Sequence, residues 1–122
     1  MAKILVIEDN PNNMKLASLL LETAGHEVLQ AVDAIEGLQM ARQHLPALIL
    51  MDIQLPGMDG LTATQQLKHD TQTRHIKVIA LTAFAMKGDE EKMRQAGCDG
   101  YIAKPIRYKE FLQTVNATLN LC

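Results

Sequence analysis

Leu48-Ile49-Leu50-Met51-Asp52-Ile53-Gln54-Leu55-Pro56-Gly57-Met58-Asp59-Gly60 is the stretch that decides the fold. Four apolar residues stand in a row, and a carboxylate ends the run. Consecutive apolar positions suit a strand buried on both faces, as in a parallel sheet covered by helices. Pro56 and Gly57 then break the chain into a loop, which leaves Asp52 displayed at the carboxyl end of the strand. The same arrangement occurs earlier, where Lys3-Ile4-Leu5-Val6-Ile7 ends in Glu8-Asp9. Three carboxylates gathered at two strand ends repel one another unless a cation or a proton intervenes.

Short apolar runs alternate with longer amphipathic stretches along the rest of the chain. The runs are Ile4–Ile7, Val28–Leu29, Leu48–Met51, Val78–Leu81 and Tyr101–Ile102. The first helix is predicted after Asn10-Pro11, an N-cap followed by a proline in the first turn. It carries Met14, Ala17, Leu20, Leu21 and Ala24 and stops at Gly25. The second, about 34–44, puts Ile35, Leu38 and Ala41 on one face, and Pro46 forbids its continuation. A third is expected over about 61–69, a fourth over about 87–96 ending at Gly97, and a fifth over about 108–121. The fourth is mostly charged, with Met86, Met93 and Ala96 as its only apolar anchors, and Met86 and Met93 are expected to line a partner surface. The order βαβαβαβαβα implies an α/β fold with right-handed crossovers. Five strands suit a doubly wound, flavodoxin-like (βα)5 parallel sheet of order 2-1-3-4-5. Ligands bind such sheets beyond the strands' carboxyl ends where the order reverses, here between strands 1 and 3. Those two strands end in Glu8-Asp9 and Asp52.

Composition narrows the function. The chain has 122 residues, 48% of them hydrophobic and 21% charged, which fits one globular domain over 1–122. The net charge of -2 gives no basic footprint for nucleic acid or anionic lipid. Apolar runs are too short to span a bilayer and no leader pattern is seen, so the expectation is a cytoplasmic protein. Cys98 and Cys122 match no metal spacing and read as unrelated thiols. His26, His44, His69 and His75 read as surface residues.

Strand 4 ends in Leu81-Thr82-Ala83 and strand 5 in Ala103-Lys104-Pro105, which brings a hydroxyl and an ammonium to the same rim. Singly, each of these is an ordinary loop residue, and Glu8-Asp9 alone would be a turn or a helix cap. Together they form a coherent set. Oxygen ligands with open positions suit a hard divalent ion such as Mg2+. The ion neutralises phosphoryl oxygens, the lysine adds a second positive charge, and an Asp with a free oxygen can be the nucleophile.

The chain therefore resembles the receiver domains of bacterial two-component and phosphorelay response regulators. The resemblance rests on Glu8-Asp9, the Asp52–Gly60 segment, Leu81-Thr82-Ala83 and Lys104-Pro105, in that order. The segment from Thr82 to Glu91 and the pair Gly97-Cys98 are similar to single-domain regulators of the DivK type. The resemblance implies that Asp52 is the phosphoacceptor. It implies Mg2+ (or Mn2+) ligated by Asp9, Asp52 and the Gln54 backbone carbonyl, with Glu8 acting through water. It further implies Lys104 and Thr82 as partners of the phosphoryl group, Tyr101 as an aromatic switch, and a cis Lys104-Pro105 bond. Ala83 and Phe84 would govern access to the phosphoryl site, with bulky Phe84 slowing hydrolysis. The implied donor is a histidine kinase or histidine phosphotransfer protein. The implied target binds the face built by helix 4, strand 5 and helix 5, the regulator being a monomer or a weak phosphorylation-dependent dimer.

Rival readings fare worse. A haloacid-dehalogenase-type phosphatase also uses a strand-end Asp, Mg2+, Thr and Lys, but it wants a second Asp two residues on as general acid, where this chain has Gln54. The expectation is therefore not an enzyme, beyond self-catalysed phosphoryl transfer and slow autodephosphorylation. A receiver that works without phosphorylation would not need the intact acidic pair. A transcription factor would need a DNA-binding domain, and the chain reaches only Cys122, so output through protein contact is expected. The remaining alternative is a receiver cut from a larger hybrid kinase or regulator.

Overall fold

The computed structural model describes residues 2–83 and 87–119. Five strands and five helices alternate: β1 Lys3–Ile7, α1 Pro11–Thr23, β2 Glu27–Ala31, α2 Ala34–His44, β3 Leu48–Asp52, α3 Gly60–His69, β4 Lys77–Thr82, α4 Lys87–Ala96, β5 Gly100–Ala103 and α5 Tyr108–Thr118. All strand pairs are parallel and the order is β2-β1-β3-β4-β5. This is the doubly wound arrangement expected from the sequence.

The central strand explains the layering. Every residue of β3 is buried. Because successive strand side chains point to opposite faces, Ile49 and Met51 join Leu5 and Ile7 in the core under α2 and α3. Leu48 and Leu50 join Ile4 and Val6 on the other face, against Ala17 and Leu21 of α1 and Phe111 and Val115 of α5. A Leu50→Ala change in such a core costs about 2–5 kcal/mol.

Local chemistry sets the helix starts that surround the rim. Asn10 caps α1 by accepting from the N–H groups of Asn12 and Asn13 at 2.9 and 3.1 Å. Asp33 caps α2 through the Glu36 N–H at 2.8 Å, and Asp59 caps α3 through the Thr62 N–H at 2.8 Å. Helix α1 ends before Gly25, whose φ of 93° is one that other residues rarely adopt.

Three sequence expectations need correction. Ile35 is 61% exposed, and α2 instead buries Ala34, Gly37, Leu38 and Ala41. The Gly37 position lets α2 sit so close to β1 that an added Cβ would lie 2.3 Å from the Ile7 side chain. His26 is buried, its Nδ1 accepting the Ala2 N–H at 3.1 Å, because it lies where α1 turns back under the first strand. Met93 is 1% exposed, so it anchors α4 to the body and cannot line a partner surface. Met86 lies outside the described residues.

Candidate functional site: a carboxylate cluster with a lysine at the strand ends

Strand register builds the site. Ile7 pairs with Met51, Asp52 with Leu81 and Thr82 with Ala103, so the next residues of β1, β3, β4 and β5 meet at one rim. The Ile53 N–H donates to Leu81 O at 3.2 Å, and the Lys104 N–H to Thr82 O at 2.7 Å, which carries the ladder past the strand ends. The Lys104-Pro105 bond is cis, as the resemblance implied.

Glu8, Asp9 and Asp52 each offer a carboxylate oxygen, all within 4.8 Å of one another. Glu8 is 1% exposed and Asp52 3%. The Lys104 ammonium bridges the two, 3.0 Å from Glu8 Oε1 and 3.0 Å from Asp52 Oδ2. Asp52 Oδ1 accepts the Gln54 N–H at 2.9 Å. Thr82 is fully buried, and Ala83 is exposed beside it. Phe84 lies outside the described residues. Tyr101 is 40% exposed, and its hydroxyl donates to Glu90 Oε1 on α4.

Electrostatics divide the two buried carboxyls. Burial first, and then the Asp52 carboxylate beside it, push Glu8 up to about 7 against the pull of Lys104. Burial also acts to raise Asp52, but hydrogen bonds from Glu8, the Gln54 N–H and Lys104 outweigh it and hold Asp52 below its ordinary value. The proton of the pair belongs to Glu8 and the charge to Asp52. For Lys104, burial disfavours the charge, and the bonds to Asp52 and Glu8 overcome it and raise the group.

This donor set fits a divalent cation. Among the described residues, Glu8 Oε2 is a buried side-chain oxygen that no donor reaches. An all-oxygen cluster with surplus negative charge, open on one side where Asp9 is exposed, suits a hard ion that keeps part of its water.

Sequence reasoning passed over Gly60. A Cβ there would lie 2.3 Å from the Asp52 carbonyl oxygen and 2.7 Å from Ile53 Cα. Its N–H donates to Ile53 O at 3.3 Å, and its own carbonyl accepts the Thr64 hydroxyl at 2.8 Å. The absent side chain lets the start of α3 press on the backbone of Asp52 and fix it. The Pro-Gly-Met-Asp-Gly punctuation was the available signal, but a glycine after an N-cap Asp reads first as a turn residue.

These strand-end acids, with the lysine and threonine on a 2-1-3-4-5 sheet, define a receiver, and the chain belongs to the response regulator receiver domain family, whose model matches residues 4–116. It is 52% identical over 116 residues to the polar-differentiation response regulator DivK of Brucella anthropi, covering 95% of this chain and 94% of that protein. The DivK of Brucella abortus strain 2308 matches to the same extent. Among solved structures, the receiver domain of a sensor histidine kinase of Pseudomonas aeruginosa superposes with a TM-score of 0.90 at 34% identity, covering 98% of each chain. That structure holds a magnesium ion in its active-site cleft. The chemotaxis response regulator CheY4 of Vibrio cholerae gives a TM-score of 0.92 at 25% identity over 97% of this chain and 98% of that one. Among the described residues no helix is long and apolar enough to cross a membrane.

Proposed function

We propose that the protein is a stand-alone, cytoplasmic response regulator that takes a phosphoryl group on Asp52 from a histidine kinase or histidine phosphotransfer protein. The observation that supports this best is the Asp52 carboxylate itself. It is buried, kept ionised, and held at 3.0 Å by Lys104 within a cluster short of positive charge.

Asp9, Asp52 and the Gln54 carbonyl would hold Mg2+ or Mn2+, with Glu8 engaged through water. The ion supplies charge neutralisation for the phosphoryl oxygens. An Asp52 carboxylate oxygen attacks phosphorus, the new O–P bond forms as the donor's P–N bond breaks, and the electron pair leaves on the imidazole nitrogen. Lys104 exchanges a carboxylate partner for a phosphoryl oxygen. The Thr82 hydroxyl donates to another, a charged hydrogen bond worth about 1.5–3 kcal/mol. If it forms in one state only, it shifts a two-state equilibrium by about tenfold to a hundredfold. Tyr101 leaves Glu90 and turns inward, and the α4–β5–α5 face changes for the target. Gln54, which cannot serve as a general acid, favours an acyl phosphate kept as a stored signal with slow autodephosphorylation.

Incubation with acetyl phosphate and Mg2+, followed by intact mass, tests the acceptor. A phosphoryl adduct is expected on the wild type and not on Asp52→Asn. An adduct of equal yield on Asp52→Asn sinks the assignment. Thr82→Ala should keep the adduct and lose the difference in target binding between phosphoforms.

A further inference from the structure

Asp52 is anchored from the side that faces α3, and the last link in that anchorage is a buried threonine. An added Cβ at Gly60 would meet the Asp52 carbonyl oxygen at 2.3 Å, the Asp52 carbonyl carbon at 2.9 Å and Ile53 Cα at 2.7 Å. The first residue of α3 therefore presses on the Asp52–Ile53 peptide with no slack between them. That peptide matters to the carboxylate as well as to the backbone. One residue further on, the Gln54 N–H donates to Asp52 Oδ1 at 2.9 Å. A shift of Ile53 thus also shifts the donor that orients the carboxylate.

Gly60 has no side chain with which to hold this position. Its N–H reaches Ile53 O at 3.3 Å, long for a hydrogen bond and correspondingly weak. At its other end the grip is firmer, where the Thr64 hydroxyl donates to Gly60 O at 2.8 Å. Thr64 is fully buried, so no water competes for that bond. The hydroxyl is itself fixed, because it also bonds the Cys98 thiol from the turn between α4 and β5. Burial pushes that thiol up and keeps its proton in place, so the S–H donates and Thr64 Oγ accepts. The hydroxyl proton is then left for the Gly60 carbonyl. A helical threonine bonded to the carbonyl four residues back usually adjusts only its own helix. Thr118 does so in α5, donating to Thr114 O at 2.8 Å beside Gly100 at the start of β5. Thr64 differs in what its carbonyl partner rests on.

We propose that Thr64 is a positioning residue for the phosphoryl acceptor: its hydroxyl holds Gly60 on the Asp52–Ile53 peptide and thereby sets where the Asp52 carboxylate stands. The proposal rests on the reading of Asp52 as phosphoacceptor and adds to it a residue outside the carboxylate cluster.

Thr64→Val, Thr64→Ser and Thr118→Val separate positioning from stability. Each intact variant is labelled with acetyl phosphate at saturating Mg2+, unfolded in urea, and compared with wild type by amide chemical shifts in the absence of metal. Thr64→Val keeps the side chain's shape and loses the hydroxyl. Its labelling should slow about threefold to tenfold, a part of what a displacement of about 1 Å costs. Thr64→Ser keeps the hydroxyl and loses a methyl, so it should label at the wild-type rate although its urea midpoint falls. Thr118→Val loses the same kind of bond in α5 and should lower the midpoint with labelling unchanged. The Ile53 and Gln54 amide shifts should move in Thr64→Val and stay in the other two. Should Thr64→Val not fold, Thr64→Ala set against Thr64→Ser makes the same comparison. Labelling of Thr64→Val at the wild-type rate, equal slowing by Thr64→Ser, or unmoved Ile53 and Gln54 amides would each overturn the proposal. If wild type takes no phosphoryl group, the acceptor reading fails by itself, and the amide shifts still decide whether Thr64 sets the backbone of Asp52.

Discussion

Two lysines bridge to carboxylates at opposite ends of this sheet, and they do so under opposite electrical conditions. At the base, Lys68 donates to Asp99 Oδ2 at 3.0 Å and to the carbonyl oxygen of Ile76 at 2.8 Å. Asp99 also accepts the Val78 N–H at 2.8 Å through its carboxylate and gives its own N–H to Val78 O at 2.7 Å. One ammonium meets one carboxylate, and the side chains are 22% and 28% exposed. At the rim, one ammonium meets two carboxylates whose side chains are 0% and 4% exposed, with a third close by. There Glu8 is pushed up to about 7 and Glu8 Oε2 is buried without a donor. A balanced pair fastens the structure. A cluster with surplus negative charge suits a cation, which supports the proposed phosphoryl site.

The sharpest way to break this contrast is to remove each lysine in turn. Lys104→Met should slow phosphorylation of Asp52 by acetyl phosphate at least about tenfold, because a positioned charge aimed at the transferring group is lost. The loss should persist at saturating Mg2+. A labelling rate equal to that of the wild type would mean that Lys104 is a fastener like Lys68.

A second distinction is a dependence on pH that only the rim confers. The folded value for Glu8, about 7, lies above its ordinary 4.5. Its contribution to stability is thus fully present below about 4.5 and is lost as pH rises through 7. At about 1.36 kcal/mol per unit, the loss is up to about 3 kcal/mol. Urea unfolding without metal should show stability falling between pH 5 and pH 8, and both Mg2+ and Glu8→Gln should flatten that slope. A slope unchanged by Glu8→Gln would place the titration elsewhere. Asp52, shifted the other way, loses its contribution only in acid.

The rim was far more legible in the sequence than the base. Glu8, Asp9, Asp52, Thr82 and Lys104 each follow an apolar run, and a strand ending in a polar residue declares where that residue stands. The sheet order followed from the same alternation. Ile35 was misplaced because helical spacing names a face, while which face turns inward depends on how closely α2 approaches β1, and Gly37 decides that. His26 was misplaced because its partner is a backbone N–H at Ala2, 24 positions away. The partner of Tyr101 on α4 and the pressure of Gly60 on Asp52 are likewise contacts between elements, which spacing along the chain does not encode. Nor did anything local mark Lys68 and Asp99 as partners.

Lys68→Met gives the smallest effect expected here. Lys68 and Asp99 are partly exposed, so the ion pair itself contributes at most about 1 kcal/mol. The bond to the Ile76 carbonyl adds a similar amount, for a total loss of about 1–2 kcal/mol in urea unfolding. Asp99→Ala should cost more than Lys68→Met, since it also leaves the Val78 N–H without its acceptor. A double-mutant cycle between the two isolates the pair. Labelling of Asp52 in Lys68→Met should stay within about twofold of wild type, because sites more than about 7–10 Å apart act independently. Val78 and Thr82 are four steps apart on one strand, about 13 Å. If Lys68→Met slowed labelling as much as Lys104→Met, the base of the sheet would be part of the phosphoryl site, and charge balance would not separate a fastener from a functional cluster.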